Sequence, residues 1–486
     1  MTSVLSFIPL VIGLLGAFVG LAGAVLAAIG LRRARAARSG AEAQTAKPPV
    51  LSDAVPPTAG SNRVWTLFLR CLLALGLGVL AAGLLGAWST KPSLGYQRGP
   101  VAEWSDGHAP ELEPLIRKHC ASFISRGKSI GLAAAVVTPS GATIMTFGRP
   151  SLSADARTSA DTLFELGSIT KTFTGLTLAR QIEHGNVRLD QPIRELLPPG
   201  ADLPEEAREV TLRHLTSHSS GFPRMPDDWS PVSSLGMLVF GSDPYAGYRA
   251  ADLLADVRSV RLQSAPGTKA CYSNFGMALL GYLLATNASS RYETLVKREV
   301  CLPLGLGDTT VTLNSVQAQR SAQGYRAVLR LGPIILALRS APWFAGNDLG
   351  GAGALRSTAT DMLKYLQANM HPEGQPLEHA IQESHRVLFE EDARTAFGMN
   401  WIHLQSQRLG RTIIWHNGGT GGFRSFIGFT ADRRLGVVLL SNSGEDVDDL
   451  AVNLLRDLDK PPGRQDRPAK QTPAPLRAGL TARDQS

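Results

Sequence analysis

Two long apolar runs near the start of the chain place a strong limit on how it can fold. Val4–Leu31 contains no charged residue, and Val64–Trp88 contains only Arg70. A helix of about 20 apolar residues is long enough to cross a bilayer. Trp65 and Trp88 stand at the two ends of the second run, where interfacial aromatic anchors are expected. The runs therefore predict two transmembrane helices, residues 4–31 and 64–88, rather than helices buried in a protein core.

The segment between the two runs, residues 32–63, is short and basic. It carries six Lys and Arg residues against two acidic ones, with four of the arginines within Arg32–Arg38. Short basic loops remain in the cytoplasm. We therefore expect a two-helix hairpin in a bacterial inner membrane, with everything after Trp88 on the periplasmic or extracellular side.

The formal net charge of +8 is concentrated in two places. The loop 32–63 contributes a net +4 and residues 456–486 a net +3, so the rest of the chain is nearly neutral. Nucleic-acid binders concentrate basic charge on the folded domain itself, so no nucleic-acid partner is expected. The tail, residues 459–486, is rich in Pro, Arg, Gln and Ala and is predicted to be disordered.

Residues 100–458 are predicted to form one soluble domain with an α/β architecture. Apolar residues at helical spacing indicate helices over Glu111–Arg126, Ile169–Glu183 and Val447–Leu458. Strand patterns occur at both ends of the domain: Gly131–Val137, Ala142–Phe147, Thr412–Trp415, Phe423–Phe429 and Leu435–Leu440. We expect an antiparallel sheet formed by the N- and C-terminal segments, with helices packed around it.

Ser168 and Lys171 form a Ser-x-x-Lys motif at the start of a predicted helix. Residues i and i+3 share one helix face, so the amine of Lys171 is expected to reach the hydroxyl of Ser168. Serine is a weak nucleophile until a base takes its proton, and a lysine whose pKa is lowered by burial can act as that base. Backbone N–H groups at the helix N-terminus can stabilise an oxyanion. On its own, the motif is more often part of an ordinary surface helix.

Tyr272 and Asn274 precede another apolar helix and can present a phenol and an amide to the same cleft. We expect Tyr272 to share proton transfer with Lys171. Asn274 is expected to bind substrate or to hold Lys171. On its own, this pattern also fits a helix cap with a buried tyrosine.

His416, Gly418 and Gly419 lie in a glycine-rich segment that follows the β-branched residues Thr412–Ile414. Glycine allows a substrate to approach the backbone of an exposed strand closely, and a backbone N–H, expected at Gly419, can complete an oxyanion hole. No GxxxxGK[ST] motif is present, so a phosphate-binding loop is not indicated. A plain glycine-rich turn is the alternative.

Together and in this order, the three motifs resemble those of the serine β-lactamase and penicillin-binding-protein superfamily, particularly its branch of class C β-lactamases, DD-peptidases and related esterases. Three further segments resemble that branch: Thr211–Pro223, Gly353–Leu363 and Val437–Ser443. The similarity covers roughly residues 108–458. It implies a β-lactamase/transpeptidase-like fold, which is an antiparallel sheet flanked by helices plus an all-helical region. It also implies that Ser168 is the nucleophile and that Lys171 and Tyr272 activate it.

The third motif departs from the commonest pattern of this superfamily. Many members carry Lys-Thr-Gly where this chain has His416-Asn417-Gly418. A lysine is permanently charged and pairs with a substrate carboxylate, whereas a histidine is mostly neutral near pH 7. The superfamily includes His-x-Gly members among esterases and aminopeptidases, so acylation stays expected while efficient recognition of a β-lactam or D-Ala-D-Ala carboxylate is in question. Arg424 is a candidate to replace the missing cation.

Three other features allow more than one interpretation. His214 and His218 have the i, i+4 spacing of a metal site, but the glutamate of an HExxH motif is absent, so we expect structural packing and no metal. Cys271 and Cys301 either form a disulfide or remain buried free thiols. The segment Val328–Arg339 is unusually apolar for a loop, and it either rims the cleft, touches the bilayer or forms a buried helix.

These observations predict a membrane-anchored serine hydrolase that forms an acyl-enzyme with an amide, ester or β-lactam. The substrate is expected to be a small molecule or a cell-wall peptide, and no metal or organic cofactor is implied. The alternative is a receptor that is acylated without significant turnover and signals through the membrane hairpin. The short basic loop, which contains no evident domain, argues against an elaborate signalling output. The oligomeric state is left open.

Overall fold

The computed structural model describes residues 92–96, 101–153, 155–226, 243, 245–343 and 350–460. The two predicted transmembrane helices, the basic loop between them and the predicted tail beyond Lys460 lie outside these ranges. Within the described ranges, no helix combines the length and the apolar character that a membrane span needs.

The described part of the chain has strands mainly towards its two ends, with most of the helices between them. The strands are β1 (Pro92–Tyr96), β2 (Glu103–Ser105), β3 (Gly131–Thr138), β4 (Gly141–Gly148), β5 (Phe164–Glu165), β6 (Tyr325–Leu331), β7 (Ile334–Arg339), β8 (Arg356–Ser357), β9 (Phe389–Glu390), β10 (Thr395–Phe397), β11 (Ile402–Ser406), β12 (Arg411–Gly419), β13 (Arg424–Thr430) and β14 (Gly436–Ser441). The helices are α1 (Glu113–Ser125), α2 (Thr170–Glu183), α3 (Leu212–Thr216), α4 (Ala250–Ser259), α5 (Asn274–Asn287), α6 (Tyr292–Val296), α7 (Ser315–Gln319), α8 (Gly350–Gly353), α9 (Ala359–Met370), α10 (Glu378–His385) and α11 (Asp448–Leu458).

A nine-stranded antiparallel sheet forms the centre of the domain, in the order β2-β4-β3-β14-β13-β12-β11-β10-β9. Strand β3, from the N-terminal part of the domain, pairs directly with β14 from the C-terminal part. This pairing confirms the predicted joining of the two ends of the domain. Both strands are buried along nearly their whole length and are apolar almost throughout, which is why they occupy the middle of the sheet.

Helices pack on both faces of this sheet. Ala134 and Val136 of β3 face the core shared with α1 and α11, whereas Ala133 and Ala135 face the larger core that contains α2 and α5. Successive side chains of a strand point to opposite faces, and the small alanines let helices approach closely on either side. The predicted fold, an antiparallel sheet flanked by helices with a further helical region, is confirmed for the described residues.

The segment Val328–Arg339 forms most of a β-hairpin, so its interpretation as a loop or as a buried helix is wrong. Strands β6 and β7 pair with each other, and β1 pairs with the free side of β7, which gives a separate three-stranded antiparallel sheet. Ile335 and Ala337 are buried on one face of this sheet. A short apolar run fits the helical and the strand period alike, and the pairing with β1, far away in the sequence, decides between them.

Cys120, Cys271 and Cys301 are free thiols, so the alternative of a Cys271–Cys301 disulfide is wrong. Cys120 and Cys301 are buried, and burial raises the pKa of Cys301 to about 12. A buried thiol of this kind stays protonated at neutral pH and packs as a small apolar side chain.

Candidate active site

Ser168 and Lys171 lie at the junction between β5 and α2. Ser168 is half-buried in a one-turn 3-10 helix, Gly167–Ile169, and Lys171 is completely buried in the first turn of α2. The lysine Nζ lies 2.9 Å from the serine Oγ, as the i, i+3 spacing predicted. The same Nζ donates a hydrogen bond of 2.6 Å to the carbonyl oxygen of Ala352 in α8.

The surroundings of Lys171 favour the neutral amine. Burial, reinforced by the positive charge of Arg224, holds the pKa of Lys171 well below its ordinary value of 10.5. A carbonyl oxygen only accepts hydrogen bonds, so one amine hydrogen is committed to Ala352. The lone pair of the neutral amine is then available to the hydroxyl proton of Ser168, which is the requirement for a general base.

Tyr272 completes a group of three polar side chains around the serine hydroxyl. The side chain of Ser168 acts to lower the pKa of the Tyr272 phenol, against the larger effect of burial. The centroid of its ring lies 5.1 Å from Nζ of Lys171. Burial raises the pKa of Tyr272 above 10, so the side chain is a protonated phenol at neutral pH. The structure therefore brings together Ser168, Lys171 and Tyr272, three residues that the sequence predicted to act together.

His218 positions Tyr272, a role that was not expected from the sequence. The two rings lie 4.4 Å apart between centroids. The backbone on either side of the tyrosine is also bound: the N–H of Cys271 donates to the His218 carbonyl at 2.6 Å, and the N–H of Ser273 donates to His218 Nδ1 at 3.3 Å. His218 adopts a left-handed backbone conformation, with φ of +57°. The ring is buried and its pKa lies well below the ordinary value.

Asn274 does not hold Lys171 in this structure. Its side-chain amide donates to the hydroxyl of Tyr245 at 3.2 Å and approaches the sulfur of Met225 at 3.6 Å. These residues line a small apolar pocket beside α5. The predicted alternative role, contact with a substrate, stays a prediction.

Arg224 places a positive charge beside Lys171 and Tyr272, and none of the three sequence motifs contains it. Its guanidinium carbon lies 5.2 Å from the ring centroid of Tyr272. Its carbonyl accepts hydrogen bonds from the N–H groups of Asn274 and Phe275, at 3.0 and 3.2 Å, which fixes it at the start of α5. Its place in the sequence was the one indication of a role at the site, because Arg224 directly follows Thr211–Pro223, a segment that resembles the superfamily.

The glycine-rich motif lies on strand β12 itself and passes close to the nucleophile. A Cβ atom on Gly418 would lie 1.9 Å from the Leu166 carbonyl oxygen, and one on Gly167 would lie 2.6 Å from the nitrogen of Gly419. Gly167 has a φ of +51°, which only glycine adopts readily. Two backbones can approach this closely only when neither has a side chain. The end of β12, with Gly419 exposed, is thereby held beside Ser168.

His416 is buried on β12 and carries no charge at neutral pH. Its pKa is lowered to about 3 by burial and by the nearby Lys171. Nδ1 lies 2.5 Å from the carbonyl oxygen of Asn417, and because a carbonyl only accepts, Nδ1 carries the proton. Nε2, which has no hydrogen-bond partner among the described residues, is left with its lone pair. His416 therefore does not supply the permanent positive charge of a lysine at this position.

Arg424 binds carbonyl oxygens of its own loop, and its predicted role as a replacement for that lysine stays a prediction. Its Nη1 donates to the carbonyl oxygens of Thr420 and Phe423, both at 2.9 Å. The guanidinium also lies against Gly419, where a Cβ atom would be 2.9 Å from Nη1. A second cation, Arg224, lies next to Lys171 and Tyr272.

His214 and His218 do not share a metal site in this structure. His214 Nδ1 accepts a hydrogen bond from the backbone N–H of Thr211 at the start of α3, while His218 binds the backbone around Tyr272. Over the described ranges, no cluster of three His, Cys, Asp or Glu side chains is arranged to hold a metal ion.

The site combines a half-exposed serine whose hydroxyl contacts a buried lysine of lowered pKa with a phenol beside that lysine and a glycine-lined strand edge. These features define a serine hydrolase of the acyl-transfer type. The family model of the beta-lactamases matches residues 116–460. The chain therefore belongs to the beta-lactamase family, a family of serine hydrolases.

Known proteins similar to this chain come from several bacteria. The D-alanyl-D-alanine-carboxypeptidase/endopeptidase AmpH of Escherichia coli K12 is 24% identical over 368 residues, which cover 71% of this chain and 90% of that protein. A beta-lactamase of Pseudomonas fluorescens is 24% identical over 369 residues, covering 69% and 94%. The crystal structure of a beta-lactamase/D-alanine carboxypeptidase from Pseudomonas syringae has a TM-score of 0.59 at 20% identity and covers 72% of this chain and 100% of that one. These similarities agree with the fold described above.

Proposed function

We propose that this protein is a membrane-anchored serine hydrolase that forms an acyl-enzyme at Ser168 with an amide, an ester or a β-lactam. The observation that carries the proposal is the 2.9 Å contact between Oγ of Ser168 and Nζ of Lys171. A lysine that is completely buried and has a lowered pKa is suited to accept the serine proton.

In the acylation step, Lys171 takes the proton of Ser168 while Oγ attacks the acyl carbonyl carbon. A new C–O bond forms, and the carbonyl oxygen becomes an oxyanion that the N–H groups of Ser168 and Gly419 are proposed to stabilise. As the oxyanion collapses, the bond to the leaving group breaks. Tyr272, whose ring centroid lies 5.1 Å from Nζ of Lys171, passes a proton to the leaving nitrogen or oxygen and is reprotonated from Lys171.

In the deacylation step, water replaces the leaving group at the same position. The Tyr272 and Lys171 pair takes one proton from the water as its oxygen attacks the ester carbonyl. The bond to Oγ then breaks, Ser168 recovers its proton and the acid is released. The His416 and Tyr272 rings are 6.2 Å apart between centroids, and His416 Nε2 has no hydrogen-bond partner among the described residues. It is available to accept a hydrogen bond from substrate or water.

Two observations bear on the substrate. The neutral His416 gives no charge to a substrate carboxylate, whereas Arg224 places a cation beside Tyr272. The similar proteins named above are D-alanyl-D-alanine peptidases and beta-lactamases. Both observations support a small acyl substrate or a cell-wall peptide. The location of the hydrolase on the periplasmic or extracellular face rests on the two apolar runs and the basic loop between them.

Covalent labelling of the full chain in detergent tests the proposal. The protein is incubated separately with a fluorescent penicillin, a fluorophosphonate and a short chromogenic ester, and the intact mass is measured with Ser168→Ala as the control. A Ser168-dependent adduct or burst supports the acyl-enzyme, and its lifetime separates a hydrolase from a slowly released receptor. Labelling that is absent for all three reagents, or that persists in Ser168→Ala, contradicts the proposal.

A further inference from the structure

Glu165 and Thr420 are buried polar side chains on the two segments that form the proposed oxyanion hole. Glu165 is 6% exposed and stands three residues before Ser168, and Thr420 is 4% exposed and directly follows Gly419. Over the described ranges, neither Oε2 of Glu165 nor Oγ1 of Thr420 has a hydrogen-bond partner. Buried polar atoms are nearly always paired, because an unpaired one has lost its water without replacement. The two atoms therefore indicate an interaction that the free enzyme does not make.

The second oxygen of the Glu165 carboxylate lacks a donor because all the donors around this group bind the first. Oε1 accepts from the N–H of Trp343 at 3.1 Å and from Nη2 of Arg356 at 3.2 Å. Burial raises the pKa of Glu165, while the charge of the buried Arg356 opposes that rise and favours the ionised carboxylate. An ionised carboxylate only accepts hydrogen bonds, so Oε2 needs a donor.

The hydroxyl of Thr420 is a suitable donor on a segment that packs against Glu165. The rings of Phe164 and Phe423 meet edge to face, with 6.4 Å between centroids. The N–H of Thr420 donates to the carbonyl oxygen of Phe423 at 3.1 Å, which closes the loop between β12 and β13. The Thr420 side chain also acts to lower the pKa of the Glu165 carboxyl, as a hydroxyl near a carboxylate does. The two unpaired atoms are therefore neighbours.

The loop that carries Thr420 can move a short way as a unit. Thr420 lies between two glycine pairs, residues 418–419 and 421–422. Glycine has the widest choice of backbone conformations, so a small rotation there moves the Gly419 peptide and the Thr420 hydroxyl together. Nη1 of Arg424, which binds the carbonyl oxygens of Thr420 and Phe423, preserves the shape of the loop. Hydrogen bonds of an active site are often long in the free enzyme and shorten in the transition state.

We propose that Thr420 and Glu165 are a positioning pair, in which the Thr420 hydroxyl donates to Oε2 of Glu165 once the substrate carbonyl oxygen enters the oxyanion hole. The inference rests on the proposed acyl-enzyme function and deepens it. Glu165 leads into the turn of Ser168, and Thr420 adjoins Gly419, so this bond sets the distance between the two N–H groups that hold the oxyanion. An interaction made only in the transition state raises turnover and leaves substrate binding unchanged.

Steady-state kinetics of the full chain in detergent, with a chromogenic ester as substrate, test the pair. Thr420→Val removes the hydroxyl at nearly constant volume. Loss of an oxyanion-hole donor lowers kcat by about 100-fold to 1000-fold, and a group that only positions a donor costs less, so we expect kcat to fall roughly tenfold with KM unchanged. Thr420→Ser keeps the hydroxyl and should recover most of the lost rate. The Tm of each variant reports any loss of folding.

Thr158→Val is the matched control. Thr158 is 2% exposed, and its Oγ1 likewise has no hydrogen-bond partner within the described part of the chain, but its backbone binds Thr146 and Gly148 of β4. Its kcat should equal that of the wild type. Equal losses of kcat in Thr158→Val and Thr420→Val indicate a general packing effect, and a Thr420→Ser variant as slow as Thr420→Val shows that the hydroxyl has no role. Either result overturns the inference.

A double-mutant cycle tests whether Glu165 is the partner. Glu165→Gln keeps the shape of the side chain, and it replaces a bond to a charged oxygen by a neutral bond of roughly half the strength. In that background, Thr420→Val should lower kcat by about threefold instead of tenfold. A full tenfold loss in the Glu165→Gln background would show that Thr420 acts without Glu165, and the pair would then be wrong.

Covalent labelling of the wild-type protein separates this inference from the function on which it rests. A Ser168-dependent adduct together with an unchanged kcat in Thr420→Val rejects the positioning pair alone. A wild-type chain that forms no adduct and hydrolyses no ester rejects the acyl-enzyme, and the positioning pair with it.

Discussion

The imidazole of His218 lies against the phenol ring of Tyr272, with 4.4 Å between the ring centroids, and His218 also binds the backbone N–H groups of Cys271 and Ser273. The tyrosine is therefore fixed from its ring and from both neighbouring peptide groups. A proton relay requires heavy atoms at hydrogen-bond distance, so the position of Tyr272 over Ser168 depends on a histidine that does not itself touch the serine hydroxyl.

Replacing His218 should lower turnover without abolishing substrate binding. His218→Asn keeps a residue that tolerates the left-handed backbone at φ of +57° but removes the ring beneath Tyr272. A misplacement of about 1 Å at a catalytic group costs roughly 100-fold in rate. We expect kcat for a chromogenic ester to fall by about that factor with little change in KM. His214→Asn is the control, and equal losses in both variants would show a general folding defect.

Removing the charge of Arg224 should move the acid limb of the pH–rate profile to higher pH. The positive charge lowers the pKa of Lys171, so Arg224→Gln raises it, and the neutral amine then appears only at higher pH. At pH values below the midpoint of the acid limb, the rate should fall roughly tenfold, and it should recover in alkaline buffer. Arg224→Lys should restore the wild-type limb, because it keeps the cation.

Arg424→Gln serves as the comparison for that experiment, because Arg424 binds the carbonyl oxygens of its own loop. If it shifts the acid limb as far as Arg224→Gln does, the assignment of the active-site cation to Arg224 is wrong. A loss confined to acidic substrates in Arg424→Gln would instead support the original expectation that this residue binds a carboxylate.

Replacing Gly418 by alanine should push β12 away from the turn that contains Leu166 and Ser168. The added Cβ would lie 1.9 Å from the Leu166 carbonyl oxygen and 2.4 Å from Oγ of Ser425, so the strand must move. Overpacking of this kind costs about 1–3 kcal/mol. We expect Gly418→Ala to lower the Tm and to slow acylation. Gly307→Ala, where a Cβ meets no atom within 4 Å, should change neither property, and a fully active Gly418→Ala would contradict the close approach.

The domain should lose stability as the pH falls below 6.5. His385 is buried in α10, and burial lowers its pKa to about 3 from 6.5. Between these values the unfolded chain binds a proton that the folded chain does not, so acid favours unfolding. This histidine lowers the free energy of unfolding by at most about 1.4 kcal/mol for each pH unit below 6.5. Thermal melts between pH 7 and 4 should show a flatter dependence for His385→Gln.

His379→Gln is the matched control for the acid effect. His379 lies on the same helix with 68% of its side chain exposed. Its replacement should leave the pH dependence of the Tm unchanged. If His385→Gln melts with the same pH dependence as the wild type, other groups, such as the buried His218 and His416, account for the loss of stability in acid.

The local parts of the active site could be predicted because they depend on short-range geometry. Ser168 and Lys171 are three residues apart on one helix, and a helix brings such residues together whatever surrounds it. The central strands could also be predicted, because β3 and β14 are nearly continuous apolar runs that only the middle of a sheet accommodates. The glycines of β12 also indicated that another backbone segment passes close to this strand. They did not indicate which segment it is.

The sequence by itself predicted the contact between Ser168 and Lys171 and the antiparallel sheet, because helical spacing and strand hydrophobicity act over a few residues. Tertiary structure alone decided the electrostatics of the site. It placed Arg224 near Lys171, His218 beneath Tyr272 and the carbonyl of Ala352 on the lysine amine. It also made the apolar segment Val328–Arg339 part of a three-stranded sheet, in which β6 pairs with β7 and β7 pairs with β1. A pKa depends on the nearby charges and on how far the group is removed from water. Packing creates these surroundings from segments that are distant in the chain.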